Sequence, residues 1–240
     1  MKKRNRYNLI KVLFPIIVIC AIFLLKSNVM TNYSDDSNKF IDVKNSNNYN
    51  SELADKKYNG KAYLSIKLKP KFNLTTSRYK FYSKLDSLGR CGVAEACVSR
   101  RDMPKNKKRG SIGMVKPSGW HTIRYSNVDG KYLYNRCHLL AWSITGTLKD
   151  NRNLITGTRY MNIEGMCEQE EKIREYLSSE NNHVMYRVTP IFKGRELVAR
   201  GVHIEARSVE DDKLIINDYA FNVQPGIDID YKTGFSQKSE

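Results

Sequence analysis

The pentapeptide Tyr134-Asn135-Arg136-Cys137-His138 closes a β-prone run that starts at Lys131, and an asparagine, Asn162, follows its histidine by 24 positions at the start of a helical pattern. Between them lies Asn151-Arg152-Asn153-Leu154-Ile155-Thr156-Gly157-Thr158-Arg159-Tyr160-Met161-Asn162. A fold that accommodates this pair must bring a strand-end histidine beside the beginning of a helix. Histidine near neutral pH is a general base, arginine is a cation suited to phosphate, and the asparagine amide is a neutral oxygen ligand for a hard metal. Phosphodiester hydrolysis uses those three parts. The plainer reading is a strand histidine that is only packed and hydrogen-bonded, because spacing alone does not make a site.

The flanking segments read mostly as β. Leu64, Ile66 and Leu68 alternate with Ser65, Lys67 and Lys69, the period of a half-buried strand, and Pro70 helps to end it. Leu85 to Arg90, with Ser87 and Gly89, reads as a turn or short helix. Trp120 to Tyr125 is β-prone, and Asp129-Gly130 supplies a hairpin turn into Lys131 to Tyr134, so two strands are expected to feed the histidine. After the helix, His183 falls in a turn and Val184 to Pro190, Glu196 to Ala199 and Gly201 to Arg207 read as strands. In the last of these, Val202 and Ile204 share one face and His203, Glu205 and Arg207 the other. Phe221-Asn222-Val223 is a final segment. The implied class is α+β with a mostly antiparallel sheet.

Between Tyr160 and Leu177, Asn162, Glu170 and Arg174 stand at i, i+8 and i+12, and about 100° per residue gathers them within about 120° on one side of a helix. Ile163, Met166, Ile173 and Leu177 are left to pack elsewhere. A surface ion pair between Glu170 and Arg174 at i, i+4, worth roughly 0.2–0.5 kcal/mol, is the plain reading of those two residues.

These residues also carry a resemblance. Arg136 and His138 with a following Asn162 are similar to the signature of the DNA/RNA non-specific endonucleases of the ββα-metal (His-Me finger) group. Asn153 to Tyr160, Asn162-Ile163-Glu164-Gly165-Met166 and Val223-Gln224-Pro225-Gly226 resemble its DNA-entry nuclease and streptodornase-like branch. The likeness runs from about Leu85 to Gly234. It departs at Asn135, where the signature has aspartate, and at Cys137, where it has glycine. The resemblance implies a ββα-metal core and a metal-dependent endonuclease with little base specificity, acting on DNA and as a second candidate on RNA. It implies catalytic roles for His138, Arg136, Glu170 and Arg174, with His138 as the base and Glu170 organising water at the metal. Substrate contacts fall to Arg136, Arg174 and Asn153, and the metal, Mg2+ with Mn2+ as a substitute, to Asn162. The alternative is a tethered, non-catalytic nucleic-acid-binding protein on the same fold, its site disabled at Asn135 and Cys137. A weaker one is a basic module that binds anionic wall polymers.

Charge agrees with a polyanionic partner. The chain carries a net +16 over 240 residues. Six of its 41 basic side chains and no acidic one lie in the first thirty residues; the remaining 35 basic and 25 acidic groups still leave +10. Lys105 to Arg109 is a basic loop, plausible as a phosphate track or simply as a solvated face. At the N-terminus, Lys2, Lys3, Arg4 and Arg6 precede an uncharged apolar run from Val12 to Leu25. No small-residue cleavage site follows it. Residues 1–30 are therefore expected to be a signal-anchor crossing the cell membrane once with the rest of the chain outside, a cleaved signal and secretion being the alternative. Residues 31–60, rich in Asn, Ser, Asp and Lys, read as a flexible tether, and 61–237 as one domain.

Outside the cytoplasm Cys91, Cys97, Cys137 and Cys167 could form two disulfides, Cys91 with Cys97 being the most reachable and leaving Cys137 with Cys167. Four cysteines allow three pairings, so connectivity stays open. No two of the four histidines share zinc-type spacing, and a structural zinc is not expected. Cys137 beside His138 is poorly placed as a nucleophile, because neighbours on a strand face opposite ways.

Overall fold

Six strands pair antiparallel in one sheet, in the order β1-β8-β7-β6-β3-β2, with β1 Tyr63–Ser65, β2 Tyr79–Tyr82, β3 Ala94–Ser99, β6 His183–Ile191, β7 Gly201–Ser208 and β8 Ile215–Phe221. The computed structural model describes residues 50–105 and 110–240, which fall in a unit beginning at Asn47. The apolar run Val12–Leu25, the tether as far as residue 49 and most of the basic loop lie outside them. Two smaller antiparallel pairs complete the β-structure: β4 Tyr134–His138 with β5 Leu154–Thr158, and β9 Ile227–Ile229 with β10 Ser236–Lys238. The class is α+β with a mostly antiparallel sheet.

Helix α1, Trp142–Thr145, lies between β4 and β5; a π-helix, Met161–Met166, runs directly into α2, Cys167–Ser179. Alternation decides what packs where. Val202, Ile204 and Ala206 of β7 face the main core with Val184, Tyr186 and Val188 of β6. Ile173, Tyr176 and Leu177 of α2 pack onto the same cluster, as do Cys137 and Ile155 of the β4–β5 pair. Each fully buried Leu or Ile contributes about 1.5–3 kcal/mol, which fixes α2 and β4–β5 on the sheet.

The opposite sheet face is polar but not open to water. Glu95, Arg187, Glu205 and Asn217 stand in register across β3, β6, β7 and β8. Arg187 forks onto Glu205 at 2.7 and 2.8 Å and reaches Glu95 at 3.1 Å. His203 bonds Asn217 at 2.6 Å. Segment 66–79 crosses this row, the Lys71 carbonyl accepting from Arg187 and the Phe72 ring lying 4.5 Å from its guanidinium. The polar face expected of β7 is thus a buried, paired network.

Several expectations change. The strand begun at Leu64 stops at Ser65; Leu64 and Ile66 pack inward, but Leu68 is exposed. Ile163 is also exposed rather than packed. Glu196 to Ala199 is loop, and His183 opens β6 with its Nδ1 2.7 Å from Glu210. Asp129-Gly130 does turn the chain, with Gly130 at φ 67°, yet the hairpin there is one bridge between Arg124 and Tyr132. The strand that pairs with the histidine strand is β5, from further along the chain. The C-terminal part of the proposed tether belongs to the domain, since Leu53 and Ala54 are buried against Ile191, Tyr219 and Phe221.

No disulfide joins the four described cysteines. Cys91 donates to the Leu154 carbonyl and Cys97 to that of Thr75, and largely extended chain separates the two beyond the Cα spacing a bridge permits. Cys137 packs against Gly157, whereas the Cys167 thiol donates to the Asn162 carbonyl at 3.0 Å.

Candidate active site

His138 ends β4 opposite Leu154, and β5 leads within a few residues into the π-helix carrying Asn162. The strand–strand–helix unit that the sequence pointed to is therefore built from β4, β5 and the π-helix with α2. Alternation along β4 turns Arg136 and His138 to one side and Cys137 to the other. Cys137 enters the main core, where any Cβ at position 157 would collide with its sulfur and with Met161. Gly157 makes room for the cysteine that departs from the signature, on the strand face away from the histidine.

His138 is 7% exposed, and its Nε2 lies 3.0 Å from the carbonyl oxygen of Leu148. A carbonyl only accepts, so Nε2 carries a hydrogen, and in the neutral imidazole the lone pair is then on Nδ1. Asn153 holds the strand ends around it: its Oδ1 accepts from the Leu140 N–H at 2.8 Å and its Nδ2 donates to the Leu140 carbonyl at 3.0 Å. Asn153 is fully buried and both ends of its amide are engaged. In this structure the Asn153 amide, expected to contact substrate, clamps the backbone of Leu140.

Arg136 is also committed to the protein. It donates to the carbonyls of Val115 and of Gly113 (2.8 Å for the latter), and its guanidinium lies 3.9 Å from the Trp120 ring centroid. Partial burial lowers its pKa, but guanidinium stays charged at any pH the fold survives. The side chain expected on phosphate holds, in this structure, the wall formed by residues 113–120.

Asn162 sits in the first turn of the π-helix. Its start is held by a segment past β8: Gln224 accepts the Tyr160 N–H at 3.1 Å, and the Thr158 hydroxyl donates to Val223 and accepts from Met161. Buried Asn222 bonds Thr158, Thr156 and Ala199, welding β5 to the large sheet. The half-buried Asn162 amide has no hydrogen-bond partner among the described residues. Nor do the described residues offer a group of three or more His, Cys, Asp or Glu side chains able to hold a metal.

The π-turn winds more slowly than 100° per residue, so the face computed for a regular helix is altered at Asn162. Glu170, half-buried in α2, remains near that turn: partial burial, then the Glu170 charge, pushes the pKa of the Cys167 thiol up. The Arg174 guanidinium forks onto Glu171, an exposed i, i+3 pair with Nε to Oε2 at 2.7 Å.

Fold and site together define a strand–strand–helix scaffold whose histidine is held at Nε2 by a backbone carbonyl. The sequence profile of the DNA/RNA non-specific endonuclease domain matches residues 70–210, and the chain belongs to that family. It is 32% identical over 163 residues to a deoxyribonuclease of Streptococcus dysgalactiae subsp. equisimilis, covering 65% of this chain and 46% of that protein. The chain thus spans about half the length of the curated relative it matches. Among solved structures it resembles NucA from Streptococcus agalactiae with magnesium ion bound (TM-score 0.63, 24% identity, 73% of this chain and 85% of that one). It also resembles Sda1 nuclease with bound zinc ion (TM-score 0.56, 27% identity, 67% and 81%).

Proposed function

We propose that the chain is a divalent-metal-dependent endonuclease that hydrolyses DNA phosphodiester bonds with little sequence preference, RNA being a second substrate. The observation that carries this reading is His138, held by the Leu148 carbonyl as an Nδ1 base on the strand beside the Asn162 helix. Nδ1 takes a proton from water as the water oxygen attacks phosphorus and the bond to the leaving 3′ oxygen breaks. A divalent cation, Mg2+ with Mn2+ as substitute, would be held by Asn162 Oδ1 and would supply positive charge at the phosphate and leaving oxygen. Glu170 orients water in the site. Arg174 turns from Glu171 to the phosphate, since an exposed ion pair is worth little in water. Arg136 acts through the loop it holds.

The apolar run Val12–Leu25 tethers the domain at the cell membrane, facing outward. Among the described residues no helix is long and apolar enough to cross a membrane. The test is cleavage of plasmid and RNA by the purified chain with Mg2+, with and without EDTA, beside His138→Ala. Metal-dependent cleavage is expected, falling about 10²–10⁴-fold in the variant while DNA binding persists. Cleavage retained by His138→Ala would remove the histidine from the mechanism.

A further inference from the structure

The Leu148 carbonyl that fixes His138 belongs to the loop of residues 146–150, which pairs with no strand and runs partly exposed between α1 and the 3-10 turn Asn151–Asn153. A loop carbonyl can hold an imidazole in one tautomer only if the loop itself is held. At its start, Gly146 closes α1 in the left-handed region (φ 70°), its N–H bonding the Trp142 carbonyl at 2.8 Å. The Thr145 carbonyl, one of the last-turn groups left without a helical donor, accepts the Lys80 ammonium. At the loop's end Asp150 accepts the Arg152 N–H at 2.9 Å and pairs with its guanidinium at 2.7 Å, and that guanidinium lies 5.6 Å from the Tyr82 ring centroid.

Lys80 and Tyr82 are two apart on β2, the edge strand of the large sheet, and so point the same way, while Tyr79 points oppositely and bonds Glu95. One face of β2 therefore meets both ends of the loop. Burial is the main effect on the Tyr82 phenol and raises its pKa; Thr147 and Thr145 lie close enough to offset part of the rise.

We propose that Lys80 is a positioning residue for His138: by holding the Thr145 carbonyl it sets the loop so that Leu148 receives Nε2–H and Nδ1 stays the base. Tyr82, through Arg152, steadies the loop's other end. This rests on the reading of His138 as the base. The site of action is remote in sequence, 58 residues from the histidine, and involves no contact with substrate or metal.

The test compares Lys80→Met and Lys80→Arg in the full chain, reading kcat and KM on duplex DNA and the 15N shifts of the His138 ring. Lys80→Met is expected to lower kcat about tenfold or more with KM unchanged, since small misplacements of a reacting group are costly. Its His138 resonances should change from the Nε2–H form to a mixture of tautomers. Lys80→Arg, whose guanidinium can still donate to a carbonyl, should restore most of both. A kcat loss with unchanged ring shifts, or one that Lys80→Arg does not rescue, overturns the proposal in favour of a plain packing role. A tautomer change in Lys80→Met, with a wild-type chain that cleaves nothing, supports the positioning and overturns the base reading instead.

Discussion

Asn153 illustrates how a residue recognised near a site can also be tied into the backbone around it. Its place in the sequence is near the histidine strand, but the amide is spent on both backbone groups of Leu140, in a fully buried position. Asn153→Ala would leave a buried N–H and a buried carbonyl unpaired, each costing about 1–3 kcal/mol. Urea unfolding should show a loss of about 2–4 kcal/mol, while the surviving folded enzyme keeps its KM for DNA. A large rise in KM with unchanged stability would return Asn153 to the substrate. Arg136 follows the same logic, its charge turned to two carbonyls and an indole. The Cys137 departure from the family signature is absorbed on the face away from His138, where Gly157 leaves space for sulfur.

At the scale of elements, the site depends on the junction of β5 with the π-helix, and that junction is held from a distance. Gln224, 64 residues beyond Tyr160, accepts the N–H that opens the turn carrying Asn162. Gln224→Ala is expected to raise the Mg2+ concentration needed for half-maximal cleavage about 10–100-fold, the usual effect of losing a residue that supports a metal ligand. Titration of activity against Mg2+ checks this, and an unchanged midpoint would mean that Asn162 is set by the helix alone. The motif around Gln224 was readable in the sequence, but its purpose was not, because hydrogen bonds between remote segments leave no periodic trace. Val202 and Ile204 against His203 and Glu205 were legible as two strand faces. That both would be buried was not, since the covering segment 66–79 has no regular pattern of its own. The expected hairpin into the histidine also misled: a favourable Asp129-Gly130 turn is local, whereas the true partner, β5, is chosen by core packing of Cys137 and Ile155.

For the molecule as a whole, the question is where the catalytic unit starts. Polarity from Thr31 to Gly60 suggested a tether throughout, because a few apolar side chains scattered among Asn, Ser, Asp and Lys carry little weight in a composition argument. Leu53 is nevertheless 3% exposed, seated with Ala54 on Ile191, Tyr219 and Phe221. Further along, the Tyr58 hydroxyl meets that of Tyr160 at 3.2 Å, and the Tyr58 ring stands edge-on to those of Tyr160 and Phe221. That hydrogen bond, then burial, pushes the Tyr160 phenol up to about 12, and Tyr160 immediately precedes the turn bearing Asn162. The segment before residue 61 thus touches both the core and the residue that precedes the turn bearing Asn162. A fragment of residues 61–240 should be less stable than one of residues 47–240 by about 2–3 kcal/mol, the worth of one buried leucine and a neighbouring methyl. In urea that is a midpoint lower by about 1 M for an ordinary slope. The shorter fragment should also need more Mg2+ for the same rate, and Leu53→Ala in the longer fragment should lower stability without the second effect, since it leaves Tyr58 in place. If the two fragments match in urea midpoint and in Mg2+ dependence, residues 50–59 are tether after all and the domain begins where its first strand does.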